Sequence, residues 1–137
     1  MKNFYEAIFI CTNMKLTEAQ ENDIRGFRWL FENDNNVITL FEVKKGFARG
    51  GQYHKKEVRH ILLSGKSEYR KMNINTKIET REIVSGMKII TLPPFTSELI
   101  IGIEYSVFVG IYPKEEEFLF FNEHRKEVEK RIKFNTK

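Results

Sequence analysis

Most of the chain alternates apolar and polar residues every two positions, which is the period of a half-buried β-strand. β-Branched and aromatic residues fill these runs, and Gly, Asn, Asp, Ser and Pro separate them. The pattern predicts strands at Phe4–Cys11, Phe27–Phe31, Asn36–Val43, Val58–Ser64, Ser67–Asn73, Lys77–Val84, Met87–Leu92, Glu98–Ile103 and Ser106–Ile111. Many short strands at this spacing are typical of an all-β sandwich or barrel.

The C-terminal part of the chain has a helical period instead. Val128 and Ile132 lie four residues apart among charged neighbours, and Glu127 and Arg131 have the spacing of an ion pair on one helix face. We therefore predict one helix at about 122–134, with Asn122 as its N-cap, lying on or beside the β domain. His124 on this helix is expected to be exposed to solvent.

Composition narrows the class of protein. The 137 residues are enough for one domain, so we expect a single domain over residues 1–137. Hydrophobic residues make up 41% and charged residues 31%, which excludes disordered and fibrous chains. The surplus of 23 basic over 19 acidic residues is too small to indicate nucleic acid, and no apolar run is long enough for a membrane helix. With Cys11 as the single cysteine, we expect a soluble, cytoplasmic protein.

The most informative stretch runs from Lys44 to Lys66. A predicted strand leads into a Gly-rich turn, which is followed by Gln52, His54 and His60 and then by a turn at Gly65. Gln52 and His54 are two residues apart, so their side chains point to one side of an extended segment. This region is therefore expected to contain the functional site.

These residues resemble the first motif of the cupins, which are small β-barrels of the double-stranded β-helix, or jelly-roll, type. That motif contains Gly, a spacer, His-x-His, a short spacer, Glu, six residues and Gly. In this sequence Gln52-Tyr53-His54 stands at the His-x-His, and Val58 stands at the Glu, six residues before Gly65. The resemblance implies an all-β jelly-roll cupin with a C-terminal α-helix.

A second stretch resembles the second cupin motif, in which Gly is followed by Pro-x-Gly, two residues and His. Gly86 precedes Pro93-Pro94, with one extra residue in the spacer. Phe95 then stands at the Gly of the motif, and Glu98 stands at its His.

Within the cupins, the chain is most similar to the nucleotide-sugar branch, the dTDP-4-dehydrorhamnose 3,5-epimerases and dTDP-4-keto-6-deoxyhexose 3,4-ketoisomerases. Residues 23–27 are similar to the Asp-x-Arg-Gly-x opening of those enzymes, and residues 37–55 to their strand and the Arg-Gly-x-His-x-His-Lys run. The resemblance covers about residues 23–112, the predicted barrel. It implies a nucleotide-sugar ligand, no cofactor and a homodimer, with the apolar Phe4–Cys11 strand as a candidate for the dimer surface.

The departures from this branch bear directly on activity. Gln52 replaces the first His of the pair, which the family uses as its catalytic base. A catalytic Tyr of the preceding strand falls at Ile38 or Thr39 and is absent there. An amide cannot take a proton from carbon at neutral pH, because it has no suitable basic lone pair. Either His54 acts as the base, or the domain binds its ligand without turning it over.

The resemblance assigns roles to individual residues, each with a structural alternative. His54 would be the acid/base, since an imidazole gains and loses a proton near neutral pH; alternatively it is a buried structural histidine. Arg49 would bind the diphosphate or the enediolate, since a planar guanidinium suits phosphate. Alternatively, Arg49 is a structural residue that holds the turn in place. Arg25 has the same two possibilities, and Gln52 would donate to a sugar oxygen.

Three further side chains complete the predicted site. His60 and Glu98 are expected to contact the substrate, and Tyr69 could stack on a base or sugar or belong to the core. Gln52, His54, His60 and Glu98 could together hold a metal ion, although a cupin metal site usually has three His and one Glu. The sequence thus leaves three functions open: a sugar-nucleotide isomerase or epimerase, a non-catalytic sugar-binding cupin, and a small metal-dependent cupin enzyme.

Overall fold

The strands of this protein form two antiparallel sheets that face each other. The structure is a computed structural model that describes residues 15–16, 21–32, 34–114 and 119–136. The strands are β1 (Lys15–Leu16), β2 (Glu21–Asp23), β3 (Gly26–Glu32), β4 (Asn36–Val43), β5 (Ala48–Gly50), β6 (Gln52–Tyr53), β7 (Val58–Ser64), β8 (Lys66–Asn73), β9 (Glu79–Ser85), β10 (Lys88–Leu92), β11 (Thr96–Gly102), β12 (Ser106–Pro113) and β13 (Leu119–Phe120). The helix α1 (Asn122–Asn135) follows them. The predicted strand Phe4–Cys11, and the dimer surface inferred for it, lie outside the described residues.

The chain crosses repeatedly between the two sheets. Within the described residues, the large sheet has the order β1-β3-β4-β12-β7-β10, with β2 also paired to β3. The small sheet has the order β5-β11-β8-β9, and β6 pairs with β13. Because β7 and β8 are consecutive in sequence but lie in different sheets, the Gly65 turn carries the chain from one sheet to the other. The predicted all-β architecture with a C-terminal helix is confirmed.

The core lies between the two sheets and is built by alternation. On β4, Phe41 and Val43 point inward, while Leu40, the residue before Phe41, points outward. The inner cluster consists of Phe41, Val43, Val58, Leu62, Tyr69, Val84, Ile90, Leu92, Ile100 and Phe108. Burying this many large apolar side chains provides the main favourable term for the fold.

Helix α1 covers the outer face of the small sheet. Val128 and Ile132 pack on Ala48, Leu99 and Ile101. The spacing of four residues that predicted the helix is therefore the spacing of its sheet-facing side. Phe121 is the N-cap, and it provides no side-chain cap, so the predicted capping by Asn122 is wrong.

The helix also holds the turns on either side of β5 from outside. Arg125 Nη1 donates to the Gly50 carbonyl at 2.8 Å, and Asn135 Nδ2 donates to the Gly46 carbonyl at 3.0 Å. The predicted Glu127–Arg131 ion pair is present at 2.9 Å, and Arg131 Nη1 lies 3.4 Å from the same Gly46 carbonyl. The position of the short strand β5 therefore depends on the helix.

Candidate functional site

Polar side chains from four strands meet inside the otherwise apolar barrel. His60 comes from β7, Tyr69 from β8, Glu98 from β11 and Tyr112 from β12. His54 joins them from the segment after β6, with its ring centroid 5.2 Å from that of Tyr112. Four of the residues singled out in the sequence are thus brought together, along with one that sequence reasoning missed.

His60 is completely buried between two tyrosines. Its Nδ1 lies 2.5 Å from the Tyr69 hydroxyl, and its Nε2 lies 2.6 Å from the Tyr112 hydroxyl. Burial, with a smaller contribution from His54, lowers the pKa of His60 to about 3. A neutral imidazole with both nitrogens hydrogen-bonded is an internal link between side chains, which differs from the substrate contact predicted for it.

Tyr112 is the residue that sequence reasoning missed. The catalytic tyrosine of the nucleotide-sugar cupins would fall on β4 at Ile38 or Thr39, whereas Tyr112 reaches the same region from β12, which pairs with β4 so that Gly110 faces Thr39. A Cβ placed on Gly110 would lie 2.5 Å from the Tyr112 hydroxyl and 2.7 Å from Thr39 Oγ1. The missing side chain at Gly110 therefore makes room for the phenol, and a Gly two residues before a Tyr in a predicted strand was the available signal.

Burial sets the ionisation of Tyr112 and Glu98. The pKa of Tyr112 is raised, first by burial and then by Glu98, while Thr39, Arg28 and Arg49 act in the opposite direction. Burial raises the pKa of Glu98 to about 8. Both groups are therefore protonated at neutral pH, and each can donate a hydrogen bond to a ligand oxygen.

Two glycines bring the chain close to Glu98. Gly50 and Gly51 have φ angles of +122° and +91°, which favour glycine. A Cβ on Gly50 would lie 2.3 Å from the Glu98 carbonyl oxygen, and the Gly51 amide donates to that oxygen at 2.7 Å. The glycine pair therefore lets the backbone turn sharply and pass close to β11.

The same region positions His54 and Gln52. The His54 carbonyl accepts a 2.8 Å hydrogen bond from the amide of Phe95, which itself has a positive φ of 59°. Gln52 is half-buried on β6, where it pairs with Phe120 of β13. Residues of the two motif-like stretches thus meet, because Phe95 stands in the second motif and His54 in the first.

Arg49 points inward and is tied to the backbone of the large sheet. Its Nε donates to the Glu42 carbonyl at 2.6 Å, and its Nη2 donates to the Gly26 carbonyl at 2.9 Å. Arg25 lies one residue before Gly26, in the turn ahead of β3, and its carbonyl accepts from the Lys44 amide. These bonds match the structural alternative for Arg49, because two nitrogens of the guanidinium that was expected to bind a diphosphate already donate to backbone carbonyls.

Tyr69 and the proposed metal ligands do not form the arrangements considered from the sequence. Tyr69 is fully buried in the core, so its ring offers no stacking surface to a ligand. Both nitrogens of His60 are engaged by tyrosine hydroxyls. Among the residues that the structure describes, no three His, Cys, Asp or Glu side chains gather as metal ligands would. The residues present do not fit a cupin-type metal site.

His124 is also not where the sequence placed it. It is only 4% exposed and lies between helix and sheet, with its Nδ1 2.8 Å from the Ser97 hydroxyl. Its ring meets Phe121 edge-on at 4.8 Å. The prediction of an exposed His124 is wrong, because this first turn of the helix packs directly on β11.

Comparison with solved structures identifies the architecture. The capsular polysaccharide assembling protein CapF from Staphylococcus aureus matches with a TM-score of 0.65 and 20% identity, over 78% of this chain and 34% of CapF. A cupin superfamily protein from Desulfitobacterium hafniense matches with a TM-score of 0.57 and 15% identity, over 72% of this chain and 84% of that protein. The fold is that of the cupins.

The similarity is one of fold. Bacillus subtilis oxalate decarboxylase also matches, with a TM-score of 0.62 and 14% identity, over 79% of this chain and 32% of the enzyme. No protein-family model matches the sequence, and no curated protein does. The chain spans about a third of the length of CapF. Within the described residues, no helix is both long enough and apolar enough to cross a membrane.

Proposed function

We propose that this cupin domain is an isomerase or epimerase of a nucleotide-linked 4-keto-6-deoxy sugar. The observation that carries the proposal is the adjacency of half-buried His54 and Tyr112, with ring centroids 5.2 Å apart. One imidazole, a side chain that can act as a base, lies beside one phenol that stays protonated at neutral pH. An acid and a base side by side are what the migration of a proton next to a ketone requires.

The reaction needs no net change of protons or electrons. His54 removes the proton from C3, and the C4 ketone becomes an enediolate. For isomerisation, the proton returns to C4 while a second proton passes from O3 to O4, so C3 is oxidised as C4 is reduced. For epimerisation, a proton returns to the original carbon from its other face.

Hydrogen-bond donors around the enediolate lower the barrier. Tyr112 donates to the oxygen that gains negative charge, and protonated Glu98 provides a second donor at neutral pH. Gln52 orients the sugar through its amide. Arg49 and Arg25 contribute positive charge at the mouth, with Arg49 also holding β5 against the large sheet.

The similarity to CapF, a capsular polysaccharide assembling protein, supports a role in sugar chemistry. We propose the same general setting here, the synthesis of precursors for polysaccharides or glycoconjugates. We also propose that the protein works in the cytoplasm as a homodimer, as the resemblance to the nucleotide-sugar cupins implies.

Deuterium exchange tests the activity directly. We expect the protein in D₂O to incorporate deuterium at C3 or C5 of a dTDP-4-keto-6-deoxyhexose. The rate should fall roughly 10²–10⁴-fold in His54→Ala, the usual contribution of general acid–base catalysis, and should fall in Tyr112→Phe. Tyr105→Phe is the matched control, because it removes a hydroxyl from a side chain that is 50% exposed. Unchanged exchange in His54→Ala would overturn the assignment of the base.

The second candidate is a sugar-nucleotide binding domain without turnover, which Gln52 favours because it replaces the family's usual base. Calorimetric titration with dTDP separates the two candidates. Binding without deuterium exchange in the native protein would establish the binding function, and exchange would exclude it.

A further inference from the structure

Two buried side chains and one half-buried side chain form a continuous hydrogen-bonded row from the core to the candidate site. The Tyr69 hydroxyl bonds to His60 Nδ1 at 2.5 Å, and His60 Nε2 bonds to the Tyr112 hydroxyl at 2.6 Å. Tyr69 and His60 have no exposed surface, whereas Tyr112 is half-buried beside His54. The row therefore connects an inaccessible end to an end that a ligand can reach.

Tyr69, at the inaccessible end, determines which group donates and which accepts in each hydrogen bond of the row. A buried hydroxyl hydrogen needs an acceptor, and His60 Nδ1 is the acceptor that the described residues offer to Tyr69. A neutral imidazole has one donor nitrogen and one acceptor nitrogen. If Nδ1 accepts from Tyr69, then Nε2 carries the hydrogen and donates it to the oxygen of Tyr112.

The orientation of the imidazole ring is set by its surroundings. Turning it over would face carbon atoms toward both hydroxyls and break both hydrogen bonds. Phe41 and Phe108 also pack against the ring, with centroid distances of 5.7 and 6.5 Å and steep interplanar angles. Burial keeps the imidazole neutral, since the pKa of His60 is about 3. One tautomer should therefore persist over the whole physiological pH range.

A fixed tautomer has a consequence for Tyr112. Because its oxygen accepts from His60, its own hydrogen points away from His60, to the side where Thr39 or a ligand oxygen can accept it. The reverse tautomer would direct that hydrogen back to Nε2 and leave the ligand facing only lone pairs. The tautomer of His60 thus decides whether Tyr112 offers a hydrogen-bond donor or an acceptor to a ligand.

We propose that His60 and Tyr69 are positioning residues, which hold the imidazole as the Nε2–H tautomer and so orient the Tyr112 hydroxyl as a donor toward the candidate site beside His54. The tautomer itself is independent of any reaction. Only its effect on turnover rests on the proposed isomerase or epimerase function.

Nitrogen NMR of the ¹⁵N-labelled native protein tests the tautomer without substrate. We expect the assigned His60 signals to show a protonated Nε2 and an unprotonated Nδ1, unchanged between pH 5.5 and 8. In Tyr69→Phe, which keeps the ring and removes the hydroxyl, the Nδ1–H form should become populated. Tyr105→Phe should leave the His60 signals unchanged. A protonated Nδ1 in the native protein, or identical signals in Tyr69→Phe, would overturn the proposal.

Kinetics provide a second measurement. Tyr69→Phe should lower kcat for deuterium exchange about tenfold with KM nearly unchanged, because the oriented donor acts mainly in the transition state. An unchanged kcat together with an altered tautomer would refute the positioning role. If the native protein shows no exchange, the proposed function fails, while the NMR result still decides the tautomer.

Discussion

Two ionisable residues of opposite type share the barrel interior, and burial removes the charge from both. The pKa of His60 falls to about 3, and that of Glu98 rises to about 8. At pH 7 both are neutral hydrogen-bonding groups. The interior therefore offers a ligand donors and acceptors, with positive charge coming from Arg28 and Arg49.

Glu98 should make the protein less stable as the pH rises. Its folded pKa is raised from 4.5, so its contribution is fully present below pH 4.5 and is lost as the pH rises to about 8. Glu98→Gln should therefore gain stability relative to the native protein on going from pH 4.5 to 8, by about 4 kcal/mol. Urea unfolding at the two pH values measures this gain. Exposed Glu104 provides the control Glu104→Gln, and an equal difference at both pH values for Glu98→Gln would contradict the burial argument.

At the scale of elements, β12 shows how one strand builds the site. Its inward positions include Phe108, Gly110 and Tyr112, and Gly110 pairs with Thr39 on one neighbour and His60 on the other. The phenol of Tyr112 folds back over Gly110 and reaches His60. Strand alternation therefore places the large ring and the space for it on the same face.

Gly110→Ala should displace the Tyr112 ring, because the added methyl would lie 2.5 Å from both its Cε2 and its hydroxyl. We expect a loss of roughly 1–3 kcal/mol in the free energy of unfolding, typical of overpacking. In a Tyr112→Ala background the same substitution should cost at least about 1 kcal/mol less, since the clash with the ring is gone and only the contact with Thr39 Oγ1 remains. A double-mutant cycle by urea unfolding measures the coupling, and equal costs in both backgrounds would show that the ring is not the obstacle.

At the scale of the whole molecule, three buried groups shape the dependence of stability on pH. The pKa of His124 is lowered by burial and by Arg70, while Glu79 and Glu123 oppose that shift. His60 and His124 therefore stabilise the fold fully above pH 6.5 and less as the pH falls below it. Glu98 has the opposite effect, because it stabilises the fold increasingly as the pH falls from 8 to 4.5.

Together these groups predict a stability maximum near pH 6.5. Above that value Glu98 reduces stability, and below it two histidines outweigh one carboxyl. In His124→Gln the remaining histidine and Glu98 should nearly cancel, so the curve should flatten between pH 6.5 and 4.5. Urea midpoints measured across this range test the prediction, and an unaltered curve in the variant would remove His124 from the explanation.

The fold was largely predictable because strand alternation is a local property. The predicted strands Asn36–Val43 and Val58–Ser64 match the observed strands to the residue, and the helix lies where its four-residue spacing indicated. The short strand β5 was missed, because three residues around Arg49 carry no period of their own. Its position comes from pairing with β11 and from the helix outside.

The site was only partly predictable because its contacts join distant parts of the chain. His54 and Glu98 were found from motif-like spacing, but Tyr112 lies 52 residues from His60 and outside either motif. His124 was misassigned because a charged helix conceals which of its first residues face the sheet. Register between strands decides such contacts, and a single sequence does not encode register locally.

The bonds between helix α1 and the turns around β5 have a consequence for how this protein can vary. Arg49 points inward from β5 and donates to the Glu42 and Gly26 carbonyls, while Arg125 and Asn135 bind the Gly50 and Gly46 carbonyls from the opposite surface. A change at either outer residue would let the strand drift and move the inner guanidinium with it. Side chains on the outer surface of the barrel therefore help to determine where a buried guanidinium inside it lies.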